Sequence, residues 1–263
     1  MTLFGIKLQV VECRLFDNLK KTKAVFPEEI IQIETGLELM RNLTKVTQEA
    51  VKEYQKRPNL YTNHNLFSRN RQLLLNAYTS LLFSSYGAEF VILRTVLENN
   101  NLIRLFNKNS NYAFEWLPQI LQNRFSQETK AEFGKTGKFE RRFGAGFVRN
   151  GVYDGRGKEK VKDDIERFYS DLCNYTHPNF SGWKELVFRT PDSLEMISNM
   201  PRFRDDTAEL GVGVVLFSIQ TTFKAIVETF KGYWHGEDLA AQLWDWQEKN
   251  LIMLPKYIPA EKS

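Results

Sequence analysis

The chain predicts a mainly all-α fold, a helical bundle built on a long central helical hairpin, and three observations carry that expectation. Apolar residues recur at spacings of three and four, as in Ile30, Ile33, Leu37, Met40, Leu43 and Val46, the stripe of a helix buried along one side. Residues 66–107 hold no proline and a single glycine, Gly87, a span long enough for two abutting helices. Strand-like patterning is confined to short stretches near Lys7–Phe16 and Glu185–Arg189.

Taken in order, Phe4, Leu8, Val11, Leu15 and Leu19 form a first amphipathic stripe. Pro27 suits a first helical turn, with Glu28 and Glu29 at the positive end of the dipole. That helix is expected to run to Gln55 and to end at Pro58. Residues 60–65 read as a polar loop, and the central hairpin follows, bent at Ser84-Ser85-Tyr86-Gly87. A helix over Tyr112–Arg124 contains Pro118, and another covers about Val161–Thr176, closed where His177 precedes Pro178. Asp206-Thr-Ala-Glu209 has the form of a capping box opening a helix to about Tyr233. Glu237–Asn250 is a last helix, and 252–263 a tail.

Residues 130–162 stand apart. They hold 7 of the 15 glycines and ten Lys/Arg against four Asp/Glu, so this stretch is net +6 within a chain of net +4. Phe133, Phe139, Phe143, Phe147 and Tyr153 are interleaved with those cations. The expected organisation is a single helical domain over 1–263, with residues 130–160 a flexible basic insertion too glycine-rich for one helix. Cations for phosphates and aromatics for stacking suit RNA or single-stranded nucleic acid, through Lys135, Lys138, Arg141, Arg142 and Arg149. A solvated loop whose phenylalanines pack back on the bundle is the structural alternative. Gly134-Lys135-Thr136-Gly137-Lys138 lacks phosphate-loop spacing and a leading strand.

Composition bounds the rest. Two cysteines, Cys13 and Cys173, make no disulfide framework, and three histidines without a Cys-x-x-Cys give no zinc pattern. No metal or cofactor is expected. The N-terminus lacks a signal-peptide pattern. The most apolar window, Leu210–Ile219, is shorter than the roughly 20 residues a bilayer needs. A cytoplasmic protein with no membrane partner is the expectation.

Two polar spots suggest a site. Arg94 and Glu98 are one helical turn apart in an apolar helix, and a structural ion pair is the plain explanation. Tyr169 lies on the helix that ends at His177, where imidazolium would face the negative end of the dipole. The chemical reading makes His177 a general acid or base, Arg94 a phosphate ligand, and Glu98 and Tyr169 assistants.

Arg94-x-x-x-Glu98, followed by Tyr169-x-x-Leu172-Cys173-x-x-x-His177-Pro178, resembles a bacterial all-α family of unknown function that is distantly HEPN-like. The resemblance covers roughly the middle third of the chain. It implies a dimeric helical module of ribonucleases, toxins or anti-phage defence systems. HEPN ribonucleases carry an arginine a few residues before a histidine. Here the arginine nearest before His177 is Arg167, and the formal match is Arg57…His64, where Pro58 argues against helical presentation. The expected function is a nucleic-acid- or protein-binding module of a defence or regulatory system, homodimeric or with a protein partner. The alternatives are a metal-independent ribonuclease and a non-catalytic scaffold subunit.

Overall fold

The computed structural model describes residues 2–3, 6–51, 57–133, 145–153, 169, 172, 187–189, 195–197, 203–231 and 237–257. It is an all-α helical bundle. Two short antiparallel ribbons accompany the helices: β1 (Thr2–Leu3) with β2 (Ile6–Lys7), and β3 (Val187–Arg189) with β4 (Glu195–Ile197). The helices are α1 (Leu8–Val25), α2 (Pro27–Ala50), α3 (Pro58–Leu82), α4 (Tyr86–Lys108), α5 (Ser110–Trp116), α6 (Gln119–Gln122), α7 (Gln127–Phe133), α8 (Ala145–Tyr153), α9 (Asp205–Phe230) and α10 (Glu237–Met253).

The central hairpin is α3 and α4, with α9 packed across both. Its turn closes without glycine. The Ser85 amide donates to the Ser80 carbonyl at 2.8 Å and the Ser84 amide to that of Leu81 at 3.0 Å, the paired bonds of a Schellman stop. Ser84 takes the left-handed position, φ 59°, while Gly87 lies inside α4.

Pro58 opens α3 at its first turn instead of ending α2. The stretch expected to be a polar loop is therefore helix, because its polar groups bond across the bundle and not to local caps. Thr62 and Asn63 are fully buried; the Thr62 hydroxyl donates to the Ala113 carbonyl at 3.4 Å and the Asn63 amide to Asn107 Oδ1 at 2.8 Å. Asp206 does not cap α9 either: the helix starts at Asp205 after Arg204, and Asp206 accepts from the adjacent Thr207 amide at 2.8 Å.

Among the described residues α9 is the helix long and apolar enough to cross a membrane, and 72% of its most apolar window is buried inside the bundle. It outruns the apolar window seen in the sequence because Thr221 and Thr222 continue it, turned toward the amide of Asn100. On the other side, α10 lies against α2. Trp246 Nε1 donates to the Gln32 carbonyl at 2.7 Å and Gln32 Nε2 donates to the Trp246 carbonyl at 2.8 Å. Gly36 makes room, since a Cβ there would sit 2.9 Å from the indole ring.

The expected tail is partly docked. Residues 254–256 form a 3₁₀ turn, and the Tyr257 hydroxyl donates to Glu29 Oε1 at 2.5 Å. The expected flexible insertion is partly helix as well. Val148 and Val152 of α8 are buried in the core, and Gly151 brings the helix close, since a Cβ there would stand 2.7 Å from Leu105 Cδ1. Lys108 Nζ caps the carbonyls of Gly151 and Val152 at 2.9 and 2.6 Å.

Candidate functional site

A run of three asparagines follows Glu98 in α4, and helix propensity does not explain it, because asparagine is among the weaker helix formers. Tertiary bonding does. Asn99 Nδ2 donates to Asn70 Oδ1 at 2.7 Å, Asn70 Nδ2 to Asn100 Oδ1 at 2.9 Å, and Asn100 Nδ2 to Thr222 Oγ1 at 2.9 Å. This buried seam ties α3, α4 and α9 together and leaves the other amide, Asn101, facing α8.

One and two turns earlier on that side stand Glu98 and Arg94, with Arg94 Nε 3.3 Å from Glu98 Oε1. Their side chains are 26% and 36% exposed, so the pair alone contributes under about 1 kcal/mol. Tyr169 completes it: Arg94 Nε donates to the Tyr169 oxygen at 3.0 Å, and the Tyr169 hydroxyl donates to Glu98 Oε1. Burial and the hydrogen bond to Glu98 push the Tyr169 hydroxyl above its usual value, outweighing the opposing pull of Arg94. It is therefore a neutral donor at physiological pH.

Arg149 of α8 joins the same ring. The guanidinium carbons of Arg94 and Arg149 lie 4.9 and 4.6 Å from the Tyr169 centroid, both within cation–π range. A cavity of about 170 Å³ opens beside them, lined by Glu98, Asn99, Asn101, Leu102, Val148, Arg149 and Tyr169. Arg104 and Tyr153 back it: Arg104 Nη1 donates to the Tyr153 oxygen at 2.9 Å, and the Tyr153 hydroxyl donates to Asn101 Oδ1 at 3.0 Å. A larger groove of about 480 Å³ between α2 and α10 includes Ile31, Leu39, Trp246, Ile252 and Met253 in its lining. It is mainly apolar, whereas polar groups converge on the smaller cavity.

The expected site residues Arg94, Glu98 and Tyr169 thus meet. His177 lies outside the described residues, as do Lys135, Lys138, Arg141 and Arg142. Arg149, expected as a cation of a flexible loop, is half-buried on a helix against Tyr169. Tyr153 belongs to the aromatics interleaved in the basic stretch, whereas Asn99 and Arg104 carry no functional signal in the sequence beyond the asparagine run. The Arg57…His64 match also changes: Pro58 starts α3, so His64 is presented on a helix, with its Nδ1 2.9 Å from Thr47 Oγ1 and its pKa lowered by burial. Among the described residues no group of three or more His, Cys, Asp or Glu could hold a metal ion.

The chain is thus an all-α helical bundle carrying a cation–tyrosine cluster beside a polar cavity. Comparison with protein-family models, curated proteins and solved structures finds no match to this chain.

Proposed function

We propose that the protein is a helical module that binds single-stranded nucleic acid, held at the face where α8 meets α4. The observation that carries this reading is the convergence of two guanidinium groups on one tyrosine ring at the mouth of a polar cavity. Guanidinium groups match phosphate geometry and stack on planar π-systems. A cationic track with aromatic platforms is the usual physical solution for a flexible polyanion with exposed bases. The charge bias of residues 130–162 supports it from the sequence side, because Arg149 belongs to the same net +6 stretch as Lys135, Lys138, Arg141 and Arg142. A role in a defence or regulatory system follows from the HEPN-like resemblance.

A second reading keeps the HEPN-like chemistry, a metal-independent ribonuclease with His177 as general acid or base and Arg94 on the phosphate. The contact between Arg94, Glu98 and a protonated Tyr169 favours it, since three residues of that constellation are in mutual reach. One experiment separates the readings: the full chain mixed with an RNA pool at two salt concentrations, monitored for retardation and cleavage. Binding without cleavage, with log affinity falling against log salt at a slope of about −3.5 for five phosphate contacts, is the expected result. It should vanish when Lys135, Lys138, Arg141, Arg142 and Arg149 become Glu. Cleavage abolished by His177→Ala with the fold intact moves the protein to the ribonuclease class. If RNA is neither bound nor cut and His177→Ala merely lowers the melting temperature, both readings fall and a scaffold subunit remains.

A further inference from the structure

We infer that the cavity between α4 and α8 accepts a nucleobase, with Asn101 donating to its edge and Asn99 accepting from it. This rests on the nucleic-acid reading above. The amide polarity is set by bonding outside the cavity. The Ser218 carbonyl can only accept, and it accepts from Thr222 Oγ1 at 2.7 Å. The Thr222 oxygen must therefore accept from Asn100 Nδ2, which leaves Asn100 Oδ1 to accept from Asn70 and Asn70 Oδ1 to accept from Asn99 Nδ2. The relay ends with Asn99 Oδ1 as an acceptor that has no hydrogen bond among the described residues.

A second relay fixes Asn101. A guanidinium can only donate, so Arg104 makes the Tyr153 oxygen an acceptor, and the Tyr153 proton goes to Asn101 Oδ1. Burial, the largest influence on that hydroxyl, raises its pKa and keeps the proton in place. Asn101 Nδ2 is then a donor with no hydrogen bond among the described residues. Asn99 and Asn101 are only 5% and 7% exposed, yet both line the cavity. Buried amides ordinarily satisfy their donors and acceptors. The free amide atoms open on the cavity and not into sealed core, so a ligand seated there can supply the missing partners.

Size and charge choose among ligands. A volume of about 170 Å³ falls below the roughly 300 Å³ where drug-sized sites begin. One planar heterocycle fits that scale. Arg149 lines this space together with the Glu98 carboxylate and the Asn99 oxygen, so its charge is offset there, and a phosphate is better placed at the mouth, between Arg149 and Arg94. On its Watson–Crick edge every unpaired nucleobase carries a donor and an acceptor side by side, so the pair recognises a base without demanding one sequence.

The test uses the full chain with two oligomers of equal length and charge, oligoadenylate and the same phosphodiester chain with abasic sites. Wild type should bind the base-bearing strand at least about tenfold more tightly. Asn101→Asp retains an acceptor for Tyr153 but removes the free donor, and should erase most of that difference while the abasic strand changes less. Circular dichroism checks that the variant is folded, and the wild-type ratio decides alone if it is not. Equal affinity of wild type for both oligomers overturns base recognition and leaves strand binding standing. No binding of either overturns both.

Discussion

At the residue scale, Tyr169 joins three charged groups that would otherwise be separate surface features. Its hydroxyl receives from Arg94 and gives to Glu98, while its ring takes guanidinium groups from Arg94 and Arg149. Tyr169→Phe removes the hydroxyl and keeps the ring, so it should cost about 1 kcal/mol of stability in chemical denaturation and leave strand affinity within a fewfold. Arg149→Gln removes a charge and should weaken single-stranded RNA several-fold more than Tyr169→Phe does, with a shallower salt dependence by about 0.7. Arg94, Glu98 and Tyr169 were legible in the sequence because helical spacing alone puts the first two on one face. The amides were not. Asn99 acquires its orientation through Asn70 and Thr222, partners distant in sequence that only the packed bundle brings near.

At the element scale, amide and hydroxyl bonds fix helix register where apolar contacts would allow sliding. Asn70 both gives to Asn100 and receives from Asn99. Asn70→Ala would leave two buried amides incompletely bonded at about 1–3 kcal/mol each, so thermal unfolding should shift down by several degrees, and the face where α8 meets α4 should loosen with it. The hairpin stop offers the opposite sign. Ser84 is left-handed, and its Oγ is buried with no hydrogen bond among the described residues, so Ser84→Gly should stabilise by about 1 kcal/mol. The hairpin itself was legible from its long proline-free span. The position of its left-handed residue was not, since Gly87 advertises flexibility in sequence while the chain turns earlier. Pro58 misleads in the same way: proline stops a helix from the inside but starts one at its first turn, and which applies depends on whether the following polar residues find distant partners.

At the scale of the whole molecule, the charge distribution and the tyrosines set the response to solution conditions. Burial raises the hydroxyls of Tyr78, Tyr153, Tyr169 and Tyr257, aided at Tyr78 by Glu34 and at Tyr257 by Glu29. A folded-state pKa above the unfolded value of 10.0 means the native state holds those protons longer. The associated stability is present below pH 10 and is lost as pH rises through the shifted values. His64 works in the other direction: burial depresses it below 6.5, so its share of stability is present above that pH and declines as pH falls. Denaturant midpoints measured from pH 5 to 11 should therefore form a plateau that falls at both ends, steeply on the alkaline side. Tyr78→Phe should soften that alkaline fall.

The proposed strand would lie across the junction of α4 and α8. Photocrosslinking of bound single-stranded RNA, followed by mass spectrometry of the crosslinked peptides, tests it most directly. Adducts are expected on the peptides containing Glu98–Leu102, Val148–Arg149 and Tyr169, suppressed by Arg94→Ala paired with Arg149→Gln. Adducts confined to other surfaces, such as the groove between α2 and α10, would contradict it.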